Sequence, residues 1–271
     1  MKTKTILLIA FVFGLLSTPL FATTINKAKC LFKNKIDSPP GTVAITDHFF
    51  YDQAEASNFN WQEFVYWNKS KYGENSTEYK AAFPDTSVWG KQFKPFAEHY
   101  YTHPAFRNYP VVGVSYEQVL AYCEWRSNRV NEMLYLKKHK LKYHPDSIYV
   151  NVPQLYTYRL PTESEWKMMA NIGYSKKALR HKMTMGNFNH PAKNESSADT
   201  NFAITAPVES YWPNVYGIYN LYGNIAEMII EKGKAKGGSW ATIESESKIN
   251  QTQLYTKAEN WLGFRCVCEK N

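Results

Sequence analysis

An α+β domain with much irregular backbone is what the sequence predicts. Three observations predict it: two helix starts marked by capping boxes, several short strand-like runs set far apart, and Gly and Pro, 13 of each, spread evenly between them. No internal repeat, low-complexity tract or long linker interrupts the 271 residues, so one domain with inserted loops is expected.

The chain opens with a basic "MKTK", an apolar run "ILLIAFVFGLLSTPLFA" and a small residue, Ala22. That order predicts a signal peptide over residues 1–22, with the mature chain beginning near Thr23 and exported to the periplasm or cell envelope. The alternative is a membrane anchor, but the run is short and carries Gly14, Ser17 and Pro19. No transmembrane segment is expected after cleavage. Cys30 follows "NKAK", which lacks the apolar and small residues that a lipidated cysteine needs.

Next, "TVAITDHFFYD" reads as strand. "PVVGV", residues 110–114, reads as a buried strand leading into a helix, where Ser115 caps and Gln118 closes the box. Val119, Tyr122, Cys123 and Arg126 recur there at helical spacing, which puts Cys123 on or beside the buried face. "YRLPTESEWKMMANIG" repeats the pattern, with Thr162 capping, Glu165 closing the box, and Trp166, Met169 and Ala170 as the inner stripe. "KAKGGSW" and "LGFRCVCE" read as the remaining strands.

Composition bounds the function. The net charge is +8, but the basic residues are scattered apart from "LKKHKLKYH" at 136–144, which reads as a solvated face, so no nucleic-acid partner is expected. Aromatics form 16% of the chain, enough for a packed core. Four cysteines, Cys30, Cys123, Cys266 and Cys268, favour disulfides over zinc in an exported chain.

Five segments in sequence, "PVVGVSYEQVLAYCEWRSNR", "RLPTESEW", "NVYGIYNLYGNIAE", "KGGSW" and "LGFRC", resemble the successive signatures of the formylglycine-generating enzyme family, also called sulfatase-modifying factors. "FFYDQAEASNFNWQEFV" is similar to the family's opening strand and helix. The resemblance implies a C-type-lectin-like α+β fold over residues 23–271, with little regular secondary structure and insertions at about 68–109 and 127–158. It implies a disulfide between Cys123 and Cys266, and leaves the roles of Cys30 and Cys268 open. It also implies structural calcium on the Asn220 side chain, the Gly223 and Ile225 carbonyls and the Glu227 carboxylate. Without the resemblance these residues read as a turn and a cap. A second calcium site is only half visible, at Asn187 and Phe188 with Asp199.

The family's active oxidases carry two copper-binding cysteines after "GGS"; those positions fall on Thr242 and Ser247, whose hydroxyls cannot replace thiolates for copper(I). The family's "WEW" is here "AEM", Ala226–Met228. "PDTSVW" and "RVNEMLY" are similar to the branch found in gliding-motility and type IX secretion lipoproteins. The expectation is therefore a pseudoenzyme: a calcium-stabilised binding or scaffold module that takes no copper, works with exported or envelope proteins, and uses exposed aromatic insertions as its partner surface. The alternative is a metal-dependent oxidase using other ligands. "HYYTH" sets His99 and His103 four apart for such a role, but Pro104 follows and no carboxylate sits in the run.

Overall fold

Residues 38–143, 151–174, 186–189 and 204–271 are described by the computed structural model; the expected leader, Cys30 and Asp199 lie outside the described residues. The first regular element is a hairpin, β1 (Thr42–Ala44) and β2 (Phe49–Asp52), with Val43 opposite Tyr51. Thr46 Oγ1 accepts from the His48 and Phe49 amides and so closes the turn.

Among the described residues, three helices start on capping boxes, in which a side-chain oxygen takes an otherwise orphaned N–H at each end of the exchange. Ser57 and Asn60 open α1 (Asn58–Tyr72), Ser115 and Gln118 open the 24-residue α4 (Tyr116–His139), and Thr162 and Glu165 open α5 (Glu163–Ala170). The short helices α2 (Thr77–Ala81) and α3 (Lys94–His99) lie between α1 and α4. The strands β3 (Tyr156–Arg159), β4 (Ala226–Met228), β5 (Lys234–Lys236), β6 (Gln253–Leu254), β7 (Leu262–Gly263) and β8 (Val267–Lys270) complete two small sheets. One is antiparallel in the order β1-β2-β8-β3, and the other runs β6-β5-β4-β7 with β4 and β7 parallel. The fold is α+β, with most of the backbone in turns and loops.

Two strand expectations are corrected. "PVVGV" is buried but makes only an isolated bridge, Ser57 with Pro110. Gly113 has φ +74 and a Cβ there would meet the Asp85 carbonyl oxygen at 2.4 Å, so the chain turns where a ladder would have to continue. "LGFRCVCE" is two strands, β7 and β8, which belong to different sheets, and Phe264, Arg265 and Cys266 carry the chain across.

The aromatic insertion at about 68–109 is divided between core and surface. Trp89 and Tyr100, each 2% exposed, are the centre of a core cluster that takes in Phe93, Phe96, Phe106 and Trp240. Burying rings of this size is strongly favourable, so these rings pack inward, while Tyr72 and Phe83 of the same insertion stay 48% and 41% exposed. In the second insertion, α4 runs on to His139 and the buried Asn131 pins the chain before β3. Its amide donates to the Tyr156 carbonyl at 2.7 Å and its oxygen accepts from the Leu155 and Tyr156 amides. Among the described residues, no helix is long and apolar enough to cross a membrane.

Candidate functional site

A buried network of charges lies where the two sheets meet. The turn that builds it runs from Ile218 to Ile225 and holds Asn220, Gly223 and Asn224 at φ +50, +73 and +66. Left-handed backbone is tolerated by Gly and Asn and strained in bulkier residues, and at Gly223 a Cβ would lie 2.5 Å from the Asn187 carbonyl oxygen. The turn delivers the chain into β4 with Glu227 pointing inward, fully buried.

Glu227 Oε1 accepts from Arg265 Nε at 2.9 Å and Nη2 at 2.5 Å, and Oε2 accepts from Trp166 Nε1 at 2.9 Å. Burial pushes the Glu227 carboxyl above its ordinary range while Arg265 and Trp166 pull it down. Three N–H donors converging on two oxygens make the surroundings of a carboxylate, and Glu227 is ionised. Burial works against the charge on Arg265, but Glu227 and Glu55 hold its guanidinium protonated. Arg265 Nη2 also donates to the Tyr219 carbonyl at 2.8 Å.

Glu55 is the third member. Asn224 Nδ2 donates to its Oε1 at 2.9 Å and Asn220 Nδ2 to its Oε2 at 3.0 Å. Burial, eased by Arg265, pushes its carboxyl up to about 8. Beside it opens a cavity of about 570 Å³ whose walls include Asp52, Glu63, Trp125 and Arg126. Asp52 takes a two-pronged pair from Arg126, at 2.7 and 2.8 Å, and accepts the Cys266 amide at 2.8 Å.

The four residues expected to hold calcium all lie on this turn and the strand it enters, and all are buried. Asn220 Oδ1 is buried without a hydrogen-bond partner, an oxygen that a hard cation would take. Glu227 is more committed, since three donors already use three of the four lone pairs that a carboxylate offers and one remains on Oε2. The donor set fits calcium on that count. Of the half-visible second site, Asn187 donates to the Ile204 carbonyl at 2.6 Å and Phe188 is buried.

Thr242 and Ser247 also come together. Their hydroxyl oxygens lie 3.1 Å apart, Thr242 Oγ1 accepts from the Ser239 amide at 2.8 Å, and Ser247 Oγ donates to the Ile243 carbonyl at 3.2 Å. Gly238 is required beneath them, because a Cβ there would sit 1.8 Å from Ser247 Oγ. Trp240, nearby in sequence, is stacked 6.3 Å from Trp89 and edge-on to Phe93 at 5.7 Å. The pair offers neutral oxygens and no soft or basic group.

Cys123 and Cys266 face each other with their sulfurs 3.6 Å apart, both buried and both thiols here. Burial pushes the Cys266 thiol upward, and that of Cys268 up to about 12. His99 and His103 are close, with ring centres 6.3 Å apart, but His103 Nδ1 accepts the Ala105 amide and serves as a cap. Among the described residues, no group of three or more His, Cys, Asp or Glu is placed to hold a metal.

Sequence reasoning missed Glu55, Asn224 and Arg265. The available signal was the isolated charge inside otherwise apolar or small runs, "QAEAS" and "LGFRCVC", because a lone charge between buried neighbours has to find a partner.

Residues 20–270 match the family model described as the sulfatase-modifying factor enzyme 1-like domain. The chain is 23% identical to formylglycine-generating enzyme of Mus musculus over 85% of its own length and 68% of that protein. It is 26% identical to inactive C-alpha-formylglycine-generating enzyme 2 of Bos taurus over 59% of its length, spanning half of that relative. Among solved structures it is similar to Treponema denticola variable protein 1, at 18% identity and a TM-score of 0.45, covering 82% of this chain and 84% of that one.

Removing one member of a buried pair strands the other charge. Arg265→Met is expected to cost roughly 3 to 5 kcal/mol in urea unfolding, and adding Glu227→Gln should restore a good part of it. A loss under about 1 kcal/mol for Arg265→Met would mean that the pair does not hold the two sheets together.

Proposed function

The chain belongs to the sulfatase-modifying factor family, and from that premise we propose that it is an exported, non-catalytic binding or scaffold module in which the copper-binding thiols have been replaced. The observation that carries the reading is the Thr242–Ser247 contact of 3.1 Å. The two positions that the resemblance gives to the oxidase cysteines still converge, and they now exchange a hydrogen bond where a soft metal would need two thiolates. The inactive bovine relative supports a branch of this kind. The N-terminal pattern supports export to the periplasm or envelope, and the short "PDTSVW" and "RVNEMLY" segments support kinship with gliding and type IX secretion proteins, whose exported or envelope partners this module would join.

Purified wild type should bind no stoichiometric copper(I) and should leave a cysteine-containing sulfatase peptide unmodified. The double variant Thr242→Cys with Ser247→Cys should gain copper affinity with little turnover, since Ala226 and Met228 stand where the family has large aromatic residues. Formylglycine made by the wild type would overturn the reading in favour of an oxidase with other ligands.

Calcium is proposed as the structural ion, held by Asn220 Oδ1, the Gly223 and Ile225 carbonyls and the open lone pair of Glu227. When bound, it would supply a positive centre for the otherwise unpartnered Asn220 oxygen. An ion that binds only the folded chain stabilises it by about 2.7 kcal/mol at a hundred times Kd, or a melting shift of roughly 5 to 10 °C. Scanning calorimetry with calcium and with chelator should show that gain, and Asn220→Ala should lose most of it. Equal melting curves in both conditions would return the segment to a plain turn.

We also propose that Cys123 and Cys266 are bonded in the exported protein. Their 3.6 Å approach supports it, and closing a loop of this length is worth about 3 to 5 kcal/mol in the entropy model. Peptide mapping without reduction should recover the joined fragment; a free Cys123 thiol in mature protein would refute the bond.

A further inference from the structure

The end of α4 and the residues just after it form a surface of mixed character that neither the fold nor the proposed function uses. Lys137, Lys138, His139 and Lys140 are all exposed. Next to them lies a groove of about 390 Å³ lined by Arg129, Glu132, Met133, Leu136, Leu141 and Tyr143. Its one acidic residue, Glu132, is paired with Arg129, so the lysines dominate the local charge. Met133, Leu141 and Tyr143 are 46%, 50% and 57% exposed.

The geometry of the helix end explains how lysines and apolar residues come to lie together at the end of α4. Lys140 has φ +55, its amide donates to the Leu136 and Lys137 carbonyls, and the Leu141 amide donates back to the Leu136 carbonyl at 2.9 Å. This is the reverse turn that commonly ends a helix, and it sets Leu141 beside Leu136. Glycine is the usual residue at the left-handed position, and a lysine there is held against its own backbone preference. Attraction to the helix C-terminus accounts for lysines in the last turn. It does not account for three half-exposed apolar side chains beside them.

We infer that this surface docks on an anionic lipid membrane. Lysines clustered at a helix end are drawn to the negative surface potential of acidic headgroups, and neighbouring aliphatic and aromatic side chains then enter the boundary between headgroups and acyl chains. Charge alone would suit any polyanion; the exposed Met133, Leu141 and Tyr143 select a surface with an apolar layer behind its phosphates.

The test is sedimentation of the full chain with vesicles of phosphatidylcholine alone or mixed with phosphatidylglycerol. Binding should require phosphatidylglycerol and fall with salt. The triple change Lys137→Glu, Lys138→Glu and Lys140→Glu should weaken it by about a hundredfold, at about fivefold or more per lysine. The N-terminal apolar run is common to every variant, so the difference from wild type is the quantity read. Leu141→Ser with Tyr143→Ser, at unchanged melting temperature, should weaken binding by about tenfold. Binding that ignores phosphatidylglycerol, or survives the triple change, would overturn the inference. So would polyphosphate binding as tight as vesicle binding with no effect of the Leu141 and Tyr143 changes, which would leave a bare anion patch. Self-association abolished by those two changes, without vesicle binding, would also overturn it by assigning the surface to a second copy of the chain.

Discussion

The buried pair of Glu227 and Arg265 is the interaction on which the rest of the architecture depends. Glu227 sits on β4 of one sheet, and Arg265 sits in the three-residue crossing from β7 of that sheet to β8 of the other. The same guanidinium reaches the Tyr219 carbonyl, and Trp166 of α5 binds the second oxygen of Glu227. One ion pair thus fixes both sheets, a helix and the turn that precedes β4. Such a pair gives little net stability by itself, because the cost of desolvating two charges nearly offsets their attraction. Its effect is selective: a chain that misplaced any of these elements would leave a full charge unpaired in the interior.

A second linkage repeats the principle at the other end of the crossing. Arg126 from α4 binds Asp52 of β2, Asp52 accepts the Cys266 amide, and Cys123 of the same helix faces Cys266. Both linkages act on the segment between β7 and β8. That is why so irregular a backbone can hold one arrangement: short strands contribute few ladder bonds, and side-chain bonds to fixed carbonyls and amides take over the work of alignment.

The Thr242–Ser247 corner is held together by its own hydroxyls and the adjacent backbone. The glycines of "GGSW" let the backbone pass under the two side chains, and the hydroxyls satisfy each other and the adjacent main chain. The aromatic cluster of the insertion then closes against Trp240, so the surroundings are built for packing.

The sequence by itself determined the local grammar of this protein. Ser115 with Gln118 and Thr162 with Glu165 mark two helix starts, because a capping box needs only residues three apart. The order of the five signatures marked the family, and the contact of Thr242 with Ser247 followed from a short spacing within it. Only the tertiary structure decided what long-range contacts decide. Periodicity could not show that "PVVGV" would lose its ladder at Gly113, that "LGFRCVCE" would divide between two sheets, or that Trp89 and Tyr100 of the insertion would turn inward. Nor could spacing find Glu55 as the partner of Asn220 and Asn224 across more than 160 residues of chain. Helical and extended states are chosen by neighbours in sequence, whereas the partner of a buried charge is chosen by whichever opposite group the folded interior brings within reach.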